Sequence, residues 1–259
     1  MAEVALDDGH SFAGRVALVT GAGRGIGRSV AVLLAARGAA VVAMARSGVE
    51  LAEAVDEIER AGGRAHPVQA DLADLDGIGR LAERAAASYG PIDVLVNNAA
   101  TVGPLGPTAS LDWREVRGAF DLNVVSVLAL TAAALPSMVE RGWGRVANVS
   151  SGIVARPGTM RGGTTYTATK GALEAHTVNL AAELEGTGVT VNVYRPGTVD
   201  TAMQAHIRDQ DPERVGGGLV ERFQQMRTAG SLVTPDESAR DLVGRLSGVD
   251  TGDVWSFGA

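Results

Sequence analysis

Residues Arg15–Gly27 read R-V-A-L-V-T-G-A-G-R-G-I-G, an apolar run of strand length that passes straight into a cluster of glycines. Glycine permits a tight strand-to-helix turn and a close backbone approach to a diphosphate, which the N-terminus of the next helix stabilises. The spacing is G-x-x-x-G-x-G over Gly21, Gly25 and Gly27, with Gly23 as an extra member. It is neither G-x-G-x-x-G nor a P-loop, since no G-K-[ST] follows. Placed after a first strand and opening a helix, the cluster predicts a nucleotide-binding turn.

Working outward, apolar β-rich runs alternate with stretches of helical length. Strands are expected at Arg15–Thr20, Ala40–Ala45, Arg64–Ala70, Asp93–Asn97, Arg145–Ser150, Val189–Val193 and Val254–Phe257. Helices are expected at Gly25–Arg37, Val49–Arg60, Asp74–Tyr89, Leu111–Glu140 (with a bend), Thr165–Glu185 and Pro235–Leu246. Continuous apolar strands separated by helices imply a parallel sheet covered on both faces. The expected fold is therefore α/β: a single Rossmann-like, doubly wound domain of about seven strands over residues 14–259, preceded by a flexible arm at 1–13. Residues 198–234 are too long for an ordinary connection and follow a strand end, which is where a lid over a ligand belongs.

Composition narrows the function. A net charge of −7 argues against nucleic acid or an anionic membrane as partner. No run reaches the ~18 apolar residues of a membrane helix. The acidic N-terminus M-A-E-V-A-L-D-D has no leader character, so a cytoplasmic location is expected. Absence of cysteine removes thiolate chemistry and cysteine metal sites, and the four histidines have no metal-like spacing, so no metal site is expected. Trp113, Trp143 and Trp255 are expected to serve packing or an interface. Asn148-Val149-Ser150 matches a glycosylation sequon, but it falls inside an expected buried strand.

Further along, Thr164–Leu173 reads T-T-Y-T-A-T-K-G-A-L. One helical turn puts Tyr166 and Lys170 on one face. A neighbouring ammonium favours the phenolate and lowers a tyrosine's pKa, one way to make a proton donor and acceptor usable near neutral pH.

Five stretches together carry a resemblance: T-G-A-G-R-G-I-G, then V-N-N-A-A at Val96–Ala100, N-V-S-S at Asn148–Ser151, Y-T-A-T-K at Tyr166–Lys170, and R-P-G-T-V-D-T at Arg195–Thr201. In this order, over nearly the whole chain, they resemble the short-chain dehydrogenase/reductase family. The resemblance implies an oxidoreductase interconverting a carbonyl and a secondary alcohol, with Tyr166 as acid/base. Lys170 would lower the tyrosine's pKa and bind the nicotinamide ribose, and Ser151 would orient the carbonyl. Asn123, in D-L-N-V-V, would hold a relay water through its backbone carbonyl. The segment from Ser151 to Tyr166, with R-P-G-T-M-R-G-G, is slightly longer than the family's usual spacing, so Ser150 stays open as an alternative to Ser151.

The same resemblance gives the cofactor contacts: Gly21, Gly23, Arg24, Gly25, Ile26 and Gly27 of the first turn, Arg46 and Ser47 after the second strand, and Asp71 and Leu72 after the third. Asn97 and Ala99 would wall the adenosine ribose. Tyr166, Lys170, Pro196, Gly197, Val199 and Thr201 would face the nicotinamide half. NAD-selective members carry an acid at the end of the second strand. Here Ala45 stands there, followed by Arg46, and with Arg24 this favours NADP(H) over NAD(H). Met203, Ile207, Phe223 and Met226 suggest an apolar substrate wall. Alternatives are an NAD-linked alcohol dehydrogenase of the same family and a dinucleotide-binding regulatory protein without turnover. A small carbonyl or alcohol substrate and a homotetramer, or a homodimer, complete the expectation.

Overall fold

The apolar runs become strands because both faces of each are covered. In the computed structural model, which describes residues 11–215 and 217–259, the strands are β1 (Val16–Thr20), β2 (Ala40–Ala45), β3 (Arg64–Gln69), β4 (Val94–Asn97), β5 (Gly144–Val149), β6 (Val189–Arg195) and β7 (Val254–Ser256). They form one sheet of order β3-β2-β1-β4-β5-β6-β7, with every pair parallel. β3 contains Pro67, which has no N–H to donate to a neighbouring strand, and it lies at the edge. The chain winds outward from β1 to β3, then returns beside β1 as β4. That reversal opens a crevice at the C-terminal ends of β1 and β4.

Alternation along β1 sorts the two cores. Ala17 and Val19 pack with Val30 and Leu34 of α1 (Gly25–Ala36), Leu51 and Ile58 of α2 (Gly48–Arg60), and Leu242 and Leu246 of a helix at Pro235–Leu246. Val16 and Leu18 pack on the opposite face with Leu81 and Ala85 of α3 (Ile78–Tyr89), and with two later helices through Leu130, Met138 and Leu180. A short 3₁₀ turn, Leu75–Gly77, occupies the first part of the helix expected from Asp74.

The long helix expected over Leu111–Glu140 is α4 (Trp113–Phe120), one π-helical turn (Asp121–Val125) and α5 (Ser126–Glu140). This path also corrects the membrane expectation. Over Trp113–Glu140, an 18-residue window reaches a mean hydropathy of 1.9, long and apolar enough to cross a membrane by composition. In the fold one side of it, through Leu130, Ala134 and Met138, is core. α6 (Thr164–Glu183) follows β5.

Residues 198–234 form a helical excursion with α7 (Ala202–Arg208), α8 (Pro212–Val215) and α9 (Gly217–Thr228). Its two ends pair: the Val233 amide donates to the Thr198 carbonyl and the Asp200 amide to the Val233 carbonyl, both at 2.9 Å. α10 (Pro235–Leu246) starts with a capping box between Thr234 and Glu237. Of the arm expected at 1–13, residues 1–10 lie outside the described residues. Phe12 is core: it is buried and its amide donates to the Arg37 carbonyl, so the anchored chain starts before residue 14. Trp255 is buried, Trp143 lies against the Arg15 and Arg145 guanidiniums, and Trp113 is exposed.

The turn after β1 leaves no room for a side chain. A Cβ on Gly27 would stand 2.3 Å from the Gly21 carbonyl oxygen, whereas one on Gly79, in α3, would meet nothing within 4 Å. Gly27→Ala is expected to cost about 1–3 kcal/mol through overpacking. Gly79→Ala is expected to gain up to ~1 kcal/mol from helix propensity. Urea denaturation of both variants checks the contrast, and an unchanged midpoint for Gly27→Ala would contradict the tight turn.

Candidate active site

The crevice is a cleft of about 1130 Å³ running from the first glycine turn to the helical excursion. Gly21, Gly23, Arg24, Gly25 and Ile26 line one end. Gly21 has φ +65°, and a Cβ there would meet the Asn98 side-chain nitrogen at 2.8 Å. Only glycine fits that conformation and that gap. Gly27 does not line the cleft; it lets α1 close on the turn. A Cβ on Gly25 would touch the Thr201 methyl at 3.3 Å, so Thr201 faces the glycine turn across the cleft. These bare backbone surfaces at a helix N-terminus fit a dinucleotide's diphosphate.

Arg46, Ser47, Asp71, Leu72 and Ala99 line the cleft, where they could hold an adenosine, and Pro196, Gly197, Val199 and Thr201 line it as well. Ser47 caps α2, accepting from the Glu50 amide. Arg46 is exposed. Arg24 pairs with Glu50 at 3.2 Å, an acid in the cleft wall that the sequence reading did not single out.

Asn97 requires a correction. Its side chain is buried and donates to Asn148 at 2.8 Å and Thr131 at 3.1 Å, away from the cleft. Asn98 lines the cleft instead, its amide group donating to the carbonyls of Thr20 and Gly21. Successive strand residues point to opposite faces, so the neighbouring asparagine has the opposite role. The Asn97–Asn148 bond continues to Thr177 of α6, which accounts for the buried sequon asparagine.

Ser151, Tyr166 and Lys170 meet at the floor of the cleft. β5 delivers Ser151, and α6 presents Tyr166 and Lys170 one turn apart, the Lys170 Nζ being 5.8 Å from the phenol ring centre. Nζ donates to the Val149 carbonyl at 2.6 Å. The two serines separate cleanly. Ser150 is buried and donates to Glu174 at 2.7 Å, whereas the Ser151 hydroxyl hydrogen-bonds the phenol. Asn123 lies in the π-helical turn and is buried outside the cleft. Its side chain accepts from the Thr101 amide and donates to the Thr101 carbonyl, each at 2.8 Å, and donates to Thr169 beside Lys170 at 3.0 Å.

Electrostatically the pair departs from expectation. Burial pushes the Tyr166 phenol up to about 12, with the Ser151 hydrogen bond pulling the other way. Burial brings Lys170 down to about 8, and the Glu174 carboxylate opposes this. The lysine was expected to depress the tyrosine; in the protein alone desolvation of both groups wins. Tyr166 is thus a protonated donor at neutral pH. Glu174 and Arg195 are joined by two hydrogen bonds of 2.9 and 2.6 Å, and the sequence reading gave neither side chain a role.

The substrate-side wall is apolar. Tyr166 packs in one cluster with Val102, Met160, Ile207 and Phe223, against Met203 and Ile153. Met226 also lines this end. The longer segment, Arg156–Gly163, joins the wall: the Gly162 carbonyl accepts from the Gly106 amide at 2.8 Å, and Arg222 of α9 donates to the Thr159 carbonyl.

Comparison with known proteins agrees with this layout. Residues 15–212 match the model of the short chain dehydrogenase family. The chain is 40% identical over 196 residues to a short chain dehydrogenase of Pseudocercospora fijiensis, covering 74% of this chain and 62% of that one. It is 35% identical to cis-4-hydroxycyclohexanecarboxylate dehydrogenase of Sinomonas cyclohexanicum, over 94% of this chain and 98% of the relative. A structure of a 3-oxoacyl (acyl-carrier-protein) reductase from Agrobacterium tumefaciens C58, with NADP bound, superposes with a TM-score of 0.84 at 32% identity, covering 97% and 96% of the two chains. With a seven-stranded parallel sheet, a glycine turn after β1 and a matching model over most of its length, the chain belongs to the short-chain dehydrogenase/reductase family of oxidoreductases.

Proposed function

We propose that the protein is an NADP(H)-dependent oxidoreductase that interconverts a carbonyl and a secondary alcohol, with Tyr166 as the acid/base. One observation carries this reading: a buried phenol, hydrogen-bonded to Ser151 and one turn from Lys170, at the floor of a cleft that begins in a glycine turn. A dinucleotide, when bound, supplies or accepts the hydride. Ser151 donates to the carbonyl oxygen and orients it. Tyr166 gives its proton to that oxygen as negative charge develops there, and takes it back in the reverse direction. Lys170 favours the phenolate left behind. Asn123, bonded to Thr101 and Thr169, holds the strand-end loop and the lysine's helix in register. The apolar wall excludes water from the reacting oxygen. Residues 198–234 act as the lid over this end.

Tyr166→Phe is expected to retain NADPH binding and to lose at least ~10²-fold in turnover, the usual scale for an acid/base group. Lys170→Met is expected to lose both turnover and affinity. Steady-state assay of reduced-nicotinamide absorbance with a ketone and diketone panel checks this. Wild-type rates in Tyr166→Phe would overturn the assignment.

The NADP preference rests on Arg46, exposed after β2 beside Ser47, where Ala45 replaces an acid. The relative holding NADP supports it. Glu50 works against it by pairing with Arg24. A charge-assisted contact to a 2′-phosphate is worth roughly 1.5–3 kcal/mol, and ~1.4 kcal/mol is tenfold in affinity. At least ~tenfold preference for NADPH in kcat/KM is therefore expected. Arg46→Ala should reduce it through KM, Ala45→Asp should reverse it, and Glu50→Gln, by freeing Arg24, should strengthen it. Equal efficiency with NADH in the wild type would remove the NADP assignment and leave the reductase reading standing.

The same reading extends to a homotetramer. Trp113, Val125 and Val139 on the α4–α5 path and Val178 on α6 expose apolar surface on the two helices that flank the site. Burial of such surface between subunits is the expected state. Light scattering at micromolar concentration should give four times the chain mass; a monomer would contradict it.

A further inference from the structure

Lys170 is the only lysine in the chain; every other basic side chain except the histidines is an arginine. That single ammonium is 3% exposed. One turn further along α6, Glu174 is also buried and takes three hydrogen bonds: from Ser150 Oγ at 2.7 Å, from Arg195 Nε at 2.9 Å and from Arg195 Nη2 at 2.6 Å. Ser150 terminates β5, and its amide donates to the Tyr194 carbonyl of β6. Arg195 terminates β6 and is followed by Pro196 and Gly197 of the cleft wall. Glu174 thus ties α6 to the ends of both strands that frame the site. The pair's side chains are only 10% and 19% exposed. Replacing a buried ion pair with apolar residues is often neutral or stabilising, so stability alone is a weak reason to keep one.

We propose that Glu174 and Arg195 form a positioning pair whose opposed charges set the titration of Tyr166 and Lys170, the carboxylate favouring their protonated, cationic state and the guanidinium offsetting it, and so set the pH range over which the site donates a proton. Along α6 the order is phenol, ammonium, carboxylate, with the guanidinium of β6 closing the row. These are the titratable and charged groups that face Lys170: Tyr166 and Glu174 from its own helix, and Arg195 behind Glu174. The carboxylate stabilises the ammonium against the desolvation that drives it towards neutrality. Arg195 holds the carboxylate in place through two hydrogen bonds and offsets part of its field. Removing the negative charge must lower the titration of the Tyr166–Lys170 pair, and removing the positive charge must raise it, whichever of the two carries the proton. The consequence for turnover rests on the carbonyl-reductase reading; the titration itself does not.

The sole lysine makes the test direct. Protein labelled with ¹³C/¹⁵N-lysine carries one lysine side-chain signal, and its pH titration reports Lys170 without any substrate. Glu174→Gln is expected to lower the midpoint by about 0.5–1 unit and Arg195→Gln to raise it by a similar amount. The double variant is expected to return near wild type. The alkaline limb of NADPH-dependent ketone reduction should move in the same directions. If either single variant fails to fold, Glu174→Asp, which lengthens the gap to Lys170, should lower the midpoint less than the full charge loss. Midpoints unmoved in variants that fold, with activity lost equally at every pH, would show a merely structural pair and overturn the proposal. Moved midpoints in a protein that reduces no ketone would uphold the pair and remove the reductase reading.

Discussion

A cation carried into the interior is the constraint around which this molecule is arranged. Lys170 has left water almost completely, and its charge is favoured by the Val149 carbonyl and by the Glu174 carboxylate a turn away, which Arg195 holds in place. That requires α6 to lie against the ends of β5 and β6, which the doubly wound sheet provides. The same helix carries Tyr166 into the apolar cluster beneath the lid, so the two desolvated groups share one floor. Desolvation keeps the phenol protonated, and a protonated phenol beside an ammonium is a proton source for an oxygen that is gaining charge.

The other half of the cleft is governed by close approach. Gly21 must leave room for Asn98, and Gly27 for the Gly21 carbonyl, at distances no side chain tolerates. Thr20 locks the seam: its hydroxyl oxygen accepts from the amides of Asn98 and Ala99 at 3.0 and 3.1 Å. The ends of β1 and β4 are therefore fixed relative to each other at the point where the strand order reverses.

Much of this was legible in the residues. Apolar runs without alternation marked the parallel strands. The glycine spacing located the turn, and Tyr166 and Lys170 declared themselves by helical period. What escaped was set by depth and facing. Which of Asn97 and Asn98 meets the cleft depends on the pleat at a strand end, where one residue reverses the face. The direction in which Tyr166 is shifted depends on how completely the helical excursion and the Met160 segment cover it. No spacing in the sequence encodes that coverage. Glu174 stands at the same helical period as Tyr166 and Lys170, but its partner Arg195 lies on a strand brought in by tertiary packing. The π-helical turn at Asn123 was anticipated only as a bend.

The most direct test of the account is the ionisation of Tyr166 itself. The chain has three tyrosines, so the difference in phenolate absorbance between the wild type and Tyr166→Phe isolates one of them. At pH ~10, where an ordinary tyrosine is half ionised, the account predicts that Tyr166 contributes almost no phenolate in the unliganded protein. A difference spectrum showing Tyr166 half ionised or more at that pH would contradict it.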